Sequence, residues 1–219
     1  MSFLEIISGI FEGFRITAAV TVYSLLYGVP FAFVFGILQY LTKGPTRFAV
    51  TCIIEFWRSS PVVILLFVFY YTLPIFGIYM SGMVVSSMVL GLNIGGYGSQ
   101  AVRAALQALD RGQIEAGSAL GLPRSHILFL IELPQAVVAM VPTFMNQIIQ
   151  LVKATALVSL VTLTDMTFRA KEIAQLEYNP VGIYTGLLLC YFVVCYPVTI
   201  VGRWVERRVG AGREAHDEL

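Results

Sequence analysis

The chain has 219 residues, 58% of them hydrophobic and only 12% charged, with a formal net charge of +1. With a mean hydropathy of +0.80, so much apolar surface cannot be arranged around one water-soluble core, and the chain reads as an integral membrane protein. The near-zero net charge offers nothing to nucleic acid.

Charges are absent from 16 to 42, 59 to 102, 133 to 152 and 178 to 202. Each run can cross about 30 Å of hydrocarbon at about 1.5 Å per helical residue. The second run is long enough for two passes, and Pro74, Gly77 and Gly82 interrupt it where a hairpin loop would fall. The pattern predicts five spans.

The N-terminus carries Glu5 and Glu12 and no basic cluster, so it lacks the build of a cleaved signal peptide and is expected to stay attached. An odd number of spans places the termini on opposite sides. With the N-terminus outside, Lys43, Arg47, Arg58, Arg103, Arg111, Arg124, Arg203, Arg207, Arg208 and Arg213 fall in the cytoplasm, and Arg15, Arg169 and Lys171 fall outside. Ten against three favours that orientation under the positive-inside rule.

Cys52, Cys190 and Cys195 sit in or near apolar segments and read as packing residues; the two histidines complete no metal spacing. Residues 1–219 read as one membrane domain, whose longest cytoplasmic segment is a loop at about 107–134. The chain shows no phosphate-binding loop, nucleophile elbow or His-Glu-x-x-His pair, so any ATP must be bound and hydrolysed by another chain. No catalytic residue and no resident cofactor is expected. An enzyme would need convergent His, Asp, Ser or Glu side chains at depth. Lys153 is almost the lone embedded charge, with Asp165 near an outer end.

The loop is polar and punctuated by glycine. Asp110 can cap a short helix from Arg111 to Leu120, and Gly121 stands where a left-handed residue would end it. Pro123 prevents simple continuation, and a second short helix is expected from about Arg124 to Glu132 before Pro134 opens the next span. The product is a compact knob on the cytoplasmic face. The alternative is an amphipathic loop resting on lipid headgroups.

Glu115-Ala116, Gly121 six positions after the Glu, then Ile131, Leu133 and Pro134 resemble the EAA motif of permease subunits of ATP-binding cassette (ABC) importers. Gly117 replaces the usual second Ala. The stretch WRSSPVVILLFVFYYTLP at 57–74 is similar to the FRGTP-type segment of the polar amino acid permeases. RGQIEAG at 111–117 and LVKATALVSLVTLTDMT at 151–167 resemble two further segments of that subfamily. The resemblance implies an all-α type I importer permease with five core spans in a bacterial inner membrane. It also implies a partner set: a second permease, identical or paralogous, two ATPase subunits that bind ATP, and an extracytoplasmic solute-binding protein. By the same resemblance the loop is a coupling helix, and Glu115, Ala116, Leu120 and Gly121 contact or shape the ATPase interface.

Two polar stripes lie within the spans. Thr143, Asn146, Gln150 and Lys153 share one helical face, as do Asn93, Tyr97 and Gln100. Polar groups at depth either line a solute pathway or join helices and subunits, and the spacing serves both uses. Gly95, Gly96 and Gly98 either loosen the third span or permit close packing. A passive polar-solute channel would use the same stripes, but it has no need of a docking knob. Gln100 stands where relatives commonly carry Glu, and Ala154 where many carry Asp. A carboxylate there would attract a cationic solute, so its absence points to a neutral or zwitterionic one, an amino acid or a derived compatible solute such as ectoine.

Overall fold

The computed structural model describes residues 2–217, with side chains through Arg208; Arg213 lies outside the described side chains. Ser2 opens α1 (Phe3–Phe11) with a capping box: its hydroxyl accepts from the Glu5 amide while the Glu5 carboxylate accepts from the Ser2 amide. Gly13 then allows the chain to pass against the backbone at Asp165 and Met166, because a Cβ there would lie 2.4 Å from the Asp165 carbonyl carbon and the Met166 nitrogen. Next come α2 (Phe14–Leu41), α3 (Gly44–Ser59) and α4 (Val62–Phe67), the last extended by a π turn at Val68–Thr72 and a 3-10 turn at Leu73–Phe76. The longer α5 (Gly82–Gln107) leads to α6 (Arg111–Ala119) and the single turn α7 (Arg124–His126). A π segment (Ile127–Glu132) runs without a break into α8 (Leu133–Ala154). A 3-10 segment (Thr155–Val161), α9 (Met166–Leu176) and α10 (Pro180–Asp217) complete the order.

Phe3–Leu41, Arg124–Val161 and Pro180–Arg208 are each long and apolar enough to cross a membrane; Gly44–Ser59 with Val62–Phe76, bent by 95°, form a fourth candidate. The fifth crossing is α5, whose 26 residues extend about 39 Å at helical rise. The order of contacts fixes its direction. A Cβ on Gly28 would touch Gly91 and Ile94, and one on Gly36 would touch Ser99 and Val102, so α2 and α5 run parallel. The α4 extension returns the chain between them, since Tyr71 donates to the Leu160 carbonyl and Gly82 opens α5 against the Val161 carbonyl. Gly98 faces Phe144 and Met140 packs with Val102 and Leu106, which makes α8 antiparallel to α5. α10 reverses direction once more, with Tyr184 near Lys153 and Gly202 against Met145. With α5 added to the four apolar candidates, the bundle is consistent with about five crossings, one of which begins in the charged segment Gly44–Ser59 rather than in a charge-free run; α1 and the end of α10 lie at opposite ends of the bundle.

At the α9 end, Val20, Leu66, Val85, Val89, Leu151 and Val158 form one buried cluster; at the α6 end, Val102, Leu106, Leu128, Ala136 and Met140 form another. Outward-facing residues are also apolar, as a hydrocarbon surround requires: on α10, Leu188, Phe192, Val193, Tyr196 and Ile200 are all exposed. Cys190 and Cys195 are buried as expected, whereas Cys52 faces outward from α3.

Three details depart from the sequence reading. Arg58, assigned to the cytoplasmic side, instead lies within the bundle beside the Ser60-Pro61 break: its Cβ is 3.3 Å from where a Gly96 Cβ would be, about halfway along α5. Arg58 tolerates that position because Glu55 pairs with it at 3.3 Å and its guanidinium stands 5.9 Å from the Tyr97 ring centroid. Arg124–Glu132 is no separate helix; the π segment carries it straight into α8, and Pro134 occupies the first turn without interrupting it. Finally, α9 was not anticipated. Asp165 builds it, accepting from the Thr167 and Phe168 amides at 3.1 and 2.9 Å.

Candidate coupling and pathway sites

The knob is α6 and the turn that ends it. Asp110 accepts from the Gly112 amide at 2.8 Å, which fixes the first turn. At the other end Gly121 adopts φ +76°, and the Gly121 and Leu122 amides donate to the carbonyls of Ser118 and Gly117. This paired return is a Schellman motif, and its left-handed position suits glycine. The helix buries Gly117 alone, against Ile127 and Ile131 of the π segment. A Cβ at 117 would approach Ile127 Cγ1 to 3.0 Å, so any larger residue there would require that side chain to give way. Gln113 and Gln135 exchange amide hydrogen bonds of 3.2 and 2.7 Å, clamping α6 to the start of α8.

What remains exposed is the face anticipated for docking. Glu115, Ala116, Ser118, Ala119 and Gly121 point outward, and Leu120 is 80% exposed. The knob thus presents an apolar tip beside a carboxylate on a helix closed by a Schellman turn.

The two polar stripes are not brought together. On α5, the Asn93 amide donates to the Trp57 carbonyl at 2.8 Å and the Tyr97 hydroxyl to the Arg58 carbonyl at 3.1 Å. Those carbonyls end α3 just before Pro61, where no intrahelical donor follows, so α5 supplies the missing partners. The Gln100 amide donates to Gln39, and Gln39 donates to Thr51. This stripe therefore holds α2, α3 and α5 in register. The α8 stripe is different: Thr143, Asn146, Gln150 and Lys153 are all exposed. Lys153 stands in an open cleft of about 370 Å³ between α8 and α10, lined also by Ala156, Thr167, Tyr184, Leu187, Leu188 and Tyr191. No carboxylate lines that cleft. Asp165 lies behind it, buried, with its Oδ2 accepting from Tyr191 at 3.2 Å. Burial pushes its carboxyl above the usual range, opposed by the hydrogen bonds it accepts.

One cluster escaped the sequence reading. The Glu132 side chain is 1% exposed and pairs with both guanidinium nitrogens of Arg124. Its Oε1 also accepts from the Tyr40 hydroxyl at 2.6 Å, and Arg124 reaches that hydroxyl at 3.2 Å. A lone acid within the apolar run ILFLIELP was the available signal; its partner lies 92 residues earlier, on the last turn of α2. Among the described residues no group of His, Cys, Asp and Glu is placed to hold a metal ion.

An all-helical bundle of long apolar helices defines a multi-pass integral membrane protein. The chain belongs to the inner membrane components of binding-protein-dependent transport systems, whose family model matches residues 8–211, and within them to the amino-acid ABC transporter permeases. It is 35% identical to a probable amino-acid ABC transporter permease of Sinorhizobium fredii over 90% of this chain and 86% of that one. It is 28% identical to an L-cystine transport system permease of Bacillus subtilis, over 95% and 88% of the two chains. A crystal structure of an amino acid ABC transporter with histidines superposes with a TM-score of 0.85 at 25% identity, covering 95% of this chain and 99% of that one. Members of this family are transport components of the inner membrane rather than enzymes.

Proposed function

We propose that residues 1–219 act as one permease domain, with the 107–134 loop as its coupling element, importing an amino acid or an amino-acid-derived solute such as ectoine. The observation that carries this reading is the α6 knob: Glu115, Ala116 and Leu120 exposed on a helix whose Gly121 turn and Gln113–Gln135 clamp bind it to α8. Two ATPase subunits bind ATP and close against the knobs of two permeases. The pair then rocks outward to receive solute from an extracytoplasmic binding protein, and hydrolysis restores the inward-facing state. The α6 end faces the cytoplasm and the N-terminus faces outward. Removing Arg58 from the cytoplasmic basic residues leaves nine against three, so the charge asymmetry supports this orientation.

Asn146, Gln150 and Lys153 line the pathway; Asn93 and Tyr97 frame it by holding the α3–α4 bend, and Gln100 by tying α5 to α2. A lysine in a cleft without carboxylates attracts the carboxylate of a zwitterion and repels a cation. Similarity to an L-cystine permease and to a transporter crystallised with histidines supports an amino acid as the class of solute. The test is ATP-driven uptake by the assembled transporter in proteoliposomes, using radiolabelled neutral amino acids, ectoine and arginine in competition. Preference for a neutral or zwitterionic compound is expected; preference for arginine would contradict the assignment.

A further inference from the structure

The Arg124–Glu132–Tyr40 cluster belongs neither to the exposed docking face nor to the pathway stripes. Stability alone does not explain it, because Arg124 is 43% exposed while Glu132 is buried, and even a fully buried ion pair is commonly no better than apolar side chains of equal volume. Its distinctive property is directional stiffness. The carboxylate holds a two-nitrogen guanidinium contact and a third donor at once, which fixes helix register in a way that apolar neighbours such as Ile37 and Leu128 do not.

Its place in the fold gives that stiffness a use. On one side, α6 is clamped to the π segment and α8 by Gly117 packing and the Gln113–Gln135 pair. On the other, α2 is locked to α5 by backbone approaches at Gly28, Gly36, Gly91 and Gly95. Tyr40 ends the α2 unit; Arg124 and Glu132 begin the α8 unit. Over eight residues of ordinary α-helix, Arg124 and Glu132 would point about 80° apart. The wider turn of the π segment lets both face Tyr40.

We propose that Arg124, Glu132 and Tyr40 form a positioning strut that makes the α2–α5 pair follow the α6 knob when the ATPase moves it. This rests on the reading of α6 as the ATPase-docking helix. Without the strut, the α2–α5 pair is joined to the moving end of α8 only through the apolar cluster of Val102, Leu106, Leu128, Ala136 and Met140, which can slide, and it follows the ATPase less faithfully.

The test uses the complete transporter with its ATPase in nanodiscs. Spin labels are placed at Leu41 and Ser125, both exposed, in a background with Cys52→Ser, Cys190→Ala and Cys195→Ala. Pulsed-resonance distances are recorded without nucleotide and with ATP plus vanadate. In the otherwise unaltered protein the 41–125 distance is expected to stay constant while the complex closes. In Tyr40→Phe, which removes one hydroxyl, and in Glu132→Gln, the distance is expected to change or broaden on nucleotide binding, with the ATPase still co-purifying. Arg124→Lys should restore most of the constancy that Arg124→Ala loses. Expected transport per ATP hydrolysed, read with radiolabelled L-glutamine, L-cystine and ectoine, falls at least about five-fold in Tyr40→Phe. A 41–125 distance that responds identically in all forms, with the ATPase bound, would overturn the strut and leave the permease assignment standing. Failure of the unaltered chain to retain an ATPase would instead overturn both.

Discussion

Gly91→Ala and Gly186→Ala make the same chemical change in two helices and should have opposite effects. At Gly91 an added Cβ would fall 2.4 Å from the Ser24 carbonyl oxygen and 2.8 Å from Tyr27 Cβ. The first is 0.6 Å inside the 3.0 Å limit that real Cβ contacts respect, and a helical carbonyl cannot rotate aside. Separating α2 from α5 costs about 1–3 kcal/mol by analogy with overpacked cores, and alanine's better helix propensity returns about 1 kcal/mol. At Gly186 the nearest atoms are the flexible ends of Ile6, Ile7 and Ile10, all at 3.6 Å, an ordinary contact. There the helix preference stands alone, a gain of about 0.5–1 kcal/mol. The assay is unfolding of each purified variant by SDS in mixed micelles, followed by helical circular dichroism. Gly91→Ala should unfold at lower SDS than the parent and Gly186→Ala at higher. Equal midpoints for the two variants would refute the close-packing account of the α2–α5 pair.

Glu115→Ala should insert and fold normally yet lose or uncouple its ATPase, checked by co-purification; unchanged transport would remove Glu115 from the interface. At φ +76°, Gly121→Val should cost about 1–2 kcal/mol and weaken ATPase retention, while Gly121→Asn should be milder; equal retention would show that the turn does not position the knob. Lys153→Ala should raise the KM for uptake by about ten-fold or more, the loss of one charge-assisted contact, with assembly intact; dissociation of the complex would assign Lys153 to subunit contact instead. Asp165 carries a pH signature. Its raised carboxyl binds a proton more tightly in the native state than in the unfolded one. Its contribution is therefore complete below the ordinary carboxylate value of about 3.9 and is lost as pH rises through the raised native value. Asp165→Asn should flatten the fall in thermal midpoint above about pH 4; superimposable profiles would contradict the burial argument.

What the sequence revealed was local chemistry. Asp110 and Gly121 announced both ends of α6 because a cap and a left-handed turn depend on adjacent residues. The charge-free runs announced the crossings because hydrocarbon tolerates little else. Relations across distant segments were not available in this way. Arg58 was assigned to the cytoplasmic side because a charge normally lies outside hydrocarbon; only the packed structure brings Glu55 and Tyr97 to it. The spacing of Asn93 and Tyr97 suited a pathway wall and a helix joint alike; their partners are the orphan carbonyls of a helix end, which no periodicity reveals. The π segment was equally hidden, since its apolar residues fit an ordinary helix, and without its register Glu132 had no visible reason to meet Tyr40.

The central claim is that α6 docks an ATPase. It is tested most directly by gentle purification of this chain from its native membrane after crosslinking from Ala119→Cys, with mass spectrometry of everything recovered. An ATPase joined at position 119, accompanied by a second permease, is the expected result. Recovery of the chain alone, with position 119 crosslinked to nothing, would contradict the coupling assignment.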